Sequence, residues 1–113
     1  MGIPPERYNT HMKIELLYFD GCPSWKDGLE ALRTALTAAQ VDTEVRLVRI
    51  DSEADAAREK FLGSPSFRVD GQDLWPEERQ TYDLGCRVYA TSDGLRGIPT
   101  IAMLRQRICS RKI

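Results

Sequence analysis

The stretch YFDGCPSWKDGLEAL, residues 18–32, joins the end of an apolar run to the start of an amphipathic pattern. Asp20 and Gly21 are typical of a turn, and Pro23 suits the first turn of a helix, where its missing N–H needs no partner. The order is therefore a strand end, a turn, one cysteine and a helix. The helix N-terminus favours an anion, so Cys22 is predicted to be a stabilised thiolate and a nucleophile.

The segments around this stretch repeat the same alternation. The upstream run KIELLYF, residues 13–19, predicts a buried strand. Downstream, TEVRLVRI, residues 43–50, is rich in β-branched residues and predicts a second strand. Between them, one apolar stripe predicts a helix over residues 23–40. Its members are Trp25, Leu29, Leu32, Leu36 and Ala39.

The second half of the chain predicts a helix, a hairpin and a final helix. Ser52 can cap a helix that ends at Gly63, and its apolar positions are Ala54, Ala57 and Phe61. Residues 65–75, PSFRVDGQDLW, predict two strands joined by an Asp-Gly turn. The last helix has Pro99 in its first turn, and its stripe is Ile98, Ile101, Leu104 and Ile108.

This order, βαβα followed by ββα, predicts an α/β fold. The two βα units imply parallel strands joined by right-handed crossovers, and the hairpin adds antiparallel strands. We therefore expect a four-stranded mixed sheet flanked by three helices, with an extended loop before the last helix.

Composition limits the functional classes. A chain of 113 residues with 42% hydrophobic and 29% charged residues is expected to form one globular domain. A net charge of −1 argues against nucleic acid or an anionic membrane as partner. No apolar run approaches the roughly 18 residues of a membrane span. Three cysteines and no signal-peptide pattern predict a cytoplasmic protein with reduced thiols.

Residues 1–11, MGIPPERYNTH, differ from the rest of the chain. They hold two prolines and little apolar periodicity, which predicts a flexible N-terminal arm or an extension derived from cloning. The folded domain is then expected over residues 12–113. The only histidine, His11, lies in this arm, so a Cys-His nucleophile pair is not expected.

Two motifs carry a resemblance to a known superfamily. ELLYFDGCP, leading into a helix, and GSPSFRVDG, after the second helix, resemble the thioredoxin superfamily, especially its small glutaredoxin-like members. The resemblance covers residues 13–74 and the last helix. It implies a thioredoxin-like fold with Cys22 as the nucleophile. It also implies a cis peptide bond between Ser64 and Pro65, which would expose the Ser64 backbone to pair with a substrate.

The chain departs from that family in two places. CPSW, residues 22–25, replaces the two-cysteine motif. Residues 75–97 form a longer connection than usual, and connections of this length are commonly functional or internally structured. This connection contains Cys86. The distant cysteine either fills a gap in the core or returns to Cys22 to form a disulfide or a two-thiolate metal site.

The remaining candidate residues have smaller predicted roles. Asp20 would disfavour a thiolate as a neighbouring anion, but it is also a candidate proton relay. Trp25 is predicted to belong to the core, to cover the sulfur and to contribute to substrate binding. Arg87 is expected in solvent. Tyr89 and Trp75 are expected to anchor the loop, and Cys109 to be structural or incidental.

Three functions stay open. The first is a thiol oxidoreductase in which Cys22 attacks a disulfide and Cys86 or a small thiol resolves the intermediate. Its partners would be a small-molecule thiol or a protein disulfide. The second is binding or cleavage of soft metals or organomercurials by Cys22 and Cys86 with Asp20 as proton donor, which resembles alkylmercury lyases. The third is a redox-inactive binding module. No nucleotide-binding glycine fingerprint or zinc-type pair occurs, so no cofactor is expected.

Overall fold

A computed structural model describes residues 12–111, so the expectation for residues 1–11 lies outside the described residues. The elements, in chain order, are β1 (Ile14–Tyr18), α1 (Trp25–Ala38), β2 (Val45–Arg49), α2 (Glu53–Glu59), β3 (Ser66–Val69), β4 (Gln72–Asp73), β5 (Tyr89–Thr91), β6 (Gly94–Arg96) and α3 (Ile101–Cys109). None of these helices has both the length and the apolar character that crossing a membrane demands.

The first four strands form one mixed sheet in the order β2-β1-β3-β4. β1 and β2 are parallel, with Ile14 opposite Val45, and α1 is the connection between them. β3 is antiparallel to β1, with Val69 opposite Ile14, and β4 returns alongside β3. The predicted four-stranded mixed sheet with three helices is confirmed.

β1 lies at the centre of the core and is covered on both faces. Leu16 belongs to the larger cluster, which includes the buried side chains of α1 and α3. Leu17 belongs to a second cluster with Ile50, Ala56 and Phe61, on the side of α2. Burying one such aliphatic side chain stabilises the fold by about 1.5–3 kcal/mol. Burial on both faces explains why β1 reads as a continuous apolar run.

Helix α1 is two residues shorter at each end than predicted. It begins at Trp25, after the N-cap residue Ser24. Beyond its C-terminus Gln40 has a φ of 58°, in the left-handed region that ends helices. The N–H of Val41 then bonds to the carbonyl of Leu36 at 2.9 Å, which closes the helix end.

In helix α2 the predicted N-cap is confirmed, but the predicted C-terminal end and the predicted buried positions are wrong. The Ser52 side chain accepts a hydrogen bond from the Asp55 N–H at 3.0 Å. The helix stops before Lys60, whose φ is 52°, rather than at Gly63. Phe61 therefore lies beyond the helix and does not continue its 3.6-residue period. For this reason Ala56 is the buried helical residue, while the predicted Ala54 and Ala57 are exposed.

Helix α3 also starts later than predicted. Thr100 is its N-cap and accepts from the Met103 N–H at 3.1 Å, so Pro99 precedes the helix. Leu104 and Ile108 are buried as predicted, whereas Ile101 is exposed.

The connection over residues 75–97 is internally structured rather than an extended loop. β5 and β6 pair as an antiparallel hairpin with Thr91 opposite Gly94, so residues 92–93 form a two-residue turn. Hairpin turns commonly include a residue with left-handed backbone. Here that residue is Gly94, which has a φ of 96°. The hairpin was not predicted as a second sheet, because its short strands show little apolar alternation.

Before the hairpin, residues 85–87 return to the start of β3. Ser64 and Cys86 form an isolated parallel β-bridge. The Ser64 N–H donates to the Gly85 carbonyl at 2.8 Å, and the Arg87 N–H donates to the Ser64 carbonyl at 3.0 Å. We call residues 85–87 the bridging segment.

Gly63 makes this close approach possible. Its φ is 114°, and a Cβ at this position would lie 2.9 Å from the Cβ and 3.2 Å from the N of Arg87. Real Cβ atoms essentially never show a contact under 3.0 Å, so the chain around Arg87 would have to shift. Only glycine combines this backbone conformation with this approach.

We therefore predict that Gly63→Ala destabilises the fold and detaches the bridging segment. A left-handed backbone costs an alanine about 1–2 kcal/mol, and the overpacking adds about 1–3 kcal/mol. The measurement is the free energy of unfolding from urea denaturation. The matched control is Gly71→Ala, where φ is 84° and no atom lies within 4 Å of the added Cβ. Equal losses in the two variants would show that Gly63 does not hold the segment in place.

Candidate functional site

Cys22 is a buried thiol in the turn that follows β1. Its N–H donates to the Phe19 carbonyl at 3.1 Å, and its side chain is directed to the Ser64 carbonyl, with the sulfur 3.5 Å from that oxygen. Only 5% of the residue is exposed. Because α1 begins at Trp25, Cys22 precedes the helix by three residues instead of lying in its first turn. The predicted position of Cys22 at the N-terminus of the helix is therefore wrong.

Ser64 and Pro65 are joined by a cis peptide bond, as the sequence predicts. Both residues are buried. Helix α1 approaches Pro65 at Gly28, where a Cβ would lie 3.0 Å from the proline Cγ. The predicted exposure of the Ser64 backbone is wrong, because its N–H and its carbonyl are both bonded to the bridging segment.

Cys86 lies next to Cys22. The bridge to Ser64 holds Cys86 beside the peptide group that accepts the Cys22 hydrogen bond. Burial raises the pKa of the Cys86 thiol, and the charge of Cys22 and a hydrogen bond with Cys22 raise it further. Cys86 is nevertheless exposed as a residue, so the interpretation as a core-filling cysteine is wrong. The two cysteines, 64 positions apart in sequence, meet in space.

Arg87 anchors the bridging segment from inside the protein. It is 5% exposed, so the expectation of a solvated arginine is wrong. Its guanidinium donates to both carboxylate oxygens of Asp73, at 3.0 and 2.9 Å, and to the Ser66 hydroxyl at 3.1 Å. It also donates to the carbonyl of Trp75. A buried, hydrogen-bonded ion pair of this kind orients the chain that carries it.

Tyr89 and Trp75 complete the anchor, as predicted. The Tyr89 hydroxyl donates to the Pro65 carbonyl at 2.5 Å. Burial raises the pKa of Tyr89, which keeps the hydroxyl protonated as a donor. The Trp75 ring meets the Tyr89 ring edge to face, with centroids 5.2 Å apart. The Arg87 guanidinium lies 5.0 Å from the centre of the Tyr89 ring.

The remaining residues that the sequence singled out are Trp25, Asp20 and Cys109. The Trp25 ring stacks on Tyr18 at 4.0 Å and is half-buried, so its roles in covering the sulfur and in substrate binding stay predictions. The Asp20 carboxylate pairs with Arg49 at 2.7 Å, and its role as a proton relay stays a prediction. Cys109 is exposed at the end of α3.

The sequence did not point to Asp73, Ser66 or Gly63 as parts of the site. Asp73 reads as a hairpin residue and Ser66 as a strand residue, and neither spacing predicts a contact with Arg87. Gly63, directly before Ser64 and Pro65, reads as a helix end in the sequence. The ion pair between Arg87 and Asp73 depends on how residues 75–97 fold, and no local pattern in the sequence predicts that.

The arrangement permits two kinds of chemistry. Two thiols beside the same residue, Ser64, can be oxidised to a disulfide, or can bind a soft cation as thiolates. Within residues 12–111, no cluster of three or more histidine, cysteine, aspartate or glutamate side chains is arranged to hold a metal ion.

Comparisons of the chain with known protein families, with curated proteins and with solved structures found no match.

We predict that Arg87→Ala strongly destabilises the protein. The substitution leaves the Asp73 carboxylate buried without its partner, which costs about 3–5 kcal/mol in comparable pairs. The midpoint of urea denaturation measures the loss. Arg58→Ala is the matched control, because it removes an exposed pair with Asp55 and such pairs contribute little. Similar midpoints for the two variants would contradict the anchoring role of Arg87.

The raised pKa of Cys86 predicts how its alkylation depends on pH. A raised pKa means less thiolate at neutral pH, so the rate with iodoacetamide should reach its midpoint at a higher pH than for N-acetylcysteine amide. In Cys22→Ala, two of the raising interactions disappear, and the midpoint should fall towards that reference. Peptide mass spectrometry separates Cys86 from Cys109, whose alkylation is the internal control. An unchanged midpoint would mean that the two thiols do not interact.

Proposed function

We propose that this chain is a thioredoxin-like thiol oxidoreductase whose redox couple is Cys22 and Cys86. One observation carries the proposal: Ser64 accepts the Cys22 thiol at its carbonyl and forms a β-bridge with Cys86. The backbone of one residue, Ser64, thus bonds to the Cys22 thiol and pairs with Cys86. The partner that the CPSW motif lacks is supplied by the long connection.

The thioredoxin-like assignment has independent support in the strand arrangement. A parallel pair with a helical crossover is followed by an antiparallel hairpin and a final helix. The hairpin is preceded by the cis-proline, beside the residue that receives the Cys22 thiol. This is the arrangement that the sequence resemblance implies.

The proposed reaction is a two-electron exchange. In the reduced protein, Cys22 and Cys86 are thiols, as they are in the structure. One thiolate attacks a partner disulfide and forms a mixed disulfide, with release of one partner thiol. The other cysteine then loses its proton, attacks the mixed disulfide and releases the second partner thiol. The protein ends as the Cys22–Cys86 disulfide and the partner as two thiols.

The reaction is predicted to be reversible and to join Cys22 and Cys86 in one internal disulfide. The experiment equilibrates the Cys109→Ser protein in buffers of reduced and oxidised glutathione and traps the products with acid. Mass spectrometry should find one internal disulfide that joins Cys22 and Cys86 and titrates as a two-electron couple. Cys86→Ser in the same background should form no internal disulfide. Glutathione adducts without an internal disulfide would contradict the proposal.

A second candidate, soft-metal binding, rests on the same pair of thiols. It predicts stoichiometric binding of Hg(II) that disappears in either single Cys→Ser variant, with no internal disulfide in glutathione buffers. Cleavage of an organomercurial would also require Asp20 as proton donor, and that carboxylate is engaged by Arg49. The redox couple therefore explains more of the geometry. If neither a disulfide nor Hg(II) binding were found, the domain would be a binding module.

A further inference from the structure

The two cysteines differ in their access to solvent. Cys22 is 5% exposed, and its thiol is directed to the Ser64 carbonyl inside the protein. Cys86, which forms the β-bridge with Ser64, is exposed. Thiol–disulfide exchange requires the thiolate to approach one sulfur of the disulfide directly, so access determines which thiol reacts first.

The exposure of Cys86 follows from the geometry of its segment. Residues 86–90 alternate between solvent and interior: Cys86, Val88 and Ala90 are exposed, while Arg87 and Tyr89 are buried. Alternation of this kind is the two-residue period of an extended strand. Because Arg87 and Tyr89 are fixed by hydrogen bonds inside the protein, Cys86 is kept on the solvent side.

The edge next to Cys22 is closed to an extended peptide. A peptide that added as a strand at Ser64 would need the Ser64 N–H and carbonyl as partners. The N–H is bonded to Gly85 at 2.8 Å, and the carbonyl to Arg87 at 3.0 Å. The bridging segment occupies this position, and the buried ion pair between Arg87 and Asp73 opposes its release.

We propose that Cys86, rather than Cys22, is the thiol that exchanges with substrate, and that the substrate is a low-molecular-weight disulfide. This inference rests on the proposed redox function and reverses the roles predicted from sequence. The Cys86 thiolate attacks one sulfur of a disulfide RSSR, forms a Cys86–SR mixed disulfide and releases RS⁻. Cys22 then gives up its proton and attacks the Cys86 sulfur. The internal disulfide forms and the second RS⁻ leaves, so two electrons pass from the protein to RSSR.

The raised pKa of Cys86 does not cancel the advantage that Cys86 has from its exposure to solvent. Each unit of increase removes about nine-tenths of the thiolate at neutral pH, but it makes the remaining thiolate about threefold more nucleophilic. The net loss is about threefold per unit. Only 5% of Cys22 is exposed, so an incoming disulfide reaches its sulfur far less readily than that of Cys86.

The order of attack can be read from the first adduct. The reduced Cys109→Ser protein is mixed with substoichiometric 5,5′-dithiobis(2-nitrobenzoate), quenched with acid after milliseconds and digested. The first thionitrobenzoate adduct should be on Cys86. An adduct on Cys22 would overturn the inference. This measurement uses the unaltered pair and does not depend on whether a cysteine variant folds.

Single variants give an independent comparison. With the same reagent, Cys22→Ser should accumulate a stable mixed disulfide on Cys86, and Cys86→Ser should react at Cys22 at least tenfold more slowly. Circular dichroism checks that both variants are folded. Equal or reversed rates in folded variants would overturn the inference. The final mass of the Cys109→Ser protein tests the redox function separately. Adducts that never convert to an internal disulfide would contradict that function, whichever cysteine reacts first.

The substrate class is tested by comparing glutathione disulfide with insulin. The rate of the reduced Cys109→Ser protein with each is divided by the rate of dithiothreitol with the same substrate. The ratio for glutathione disulfide should exceed that for insulin at least tenfold, because the peptide edge at Ser64 is occupied. An equal or larger ratio for insulin would overturn the assignment to small disulfides.

Discussion

The backbone hydrogen bonds of Ser64 are the constraint on which the site depends. Its carbonyl accepts the Cys22 thiol and the Arg87 N–H, while its N–H donates to Gly85. These contacts join the end of β1, the start of β3 and the distant connection at one point. Without these hydrogen bonds, the backbone of Ser64 would not hold the two thiols close together in space. Buried peptide groups must find partners, so this junction is also favourable for folding.

The buried polar residues behind this junction keep the connection in place. Arg87, Asp73 and Ser66 form a hydrogen-bonded group under the bridging segment, and Tyr89 ties that group to Pro65. Among residues 12–111, every buried side-chain nitrogen or oxygen has a hydrogen-bond partner. A network satisfied to this degree favours one arrangement of the chain. The connection is therefore better described as part of the site than as a mobile cover.

The sequence predicted the sheet and the helices because their signals are local. Apolar runs, N-caps such as Ser52 and the Ser64-Pro65 motif act within a few residues of one another. The phase of α2 was mispredicted, since Phe61 lies beyond a left-handed residue that no periodicity reveals. The burial of Arg87 was missed for a different reason. It depends on Asp73, fourteen positions away in another element, and pairing at that distance leaves no periodic pattern in the sequence.

The central claim is that the backbone of Ser64 holds Cys22 and Cys86 together, and a crystal structure of the oxidised protein tests it most directly. The account predicts a Cys22–Cys86 disulfide of about 2.05 Å. It also predicts that the hydrogen bonds from Ser64 to Gly85 and from Arg87 to Ser64 stay intact. Sulfurs that lie more than about 10 Å apart, beyond the reach of a disulfide, would contradict the account. A bridging segment released from Ser64 would contradict it as well.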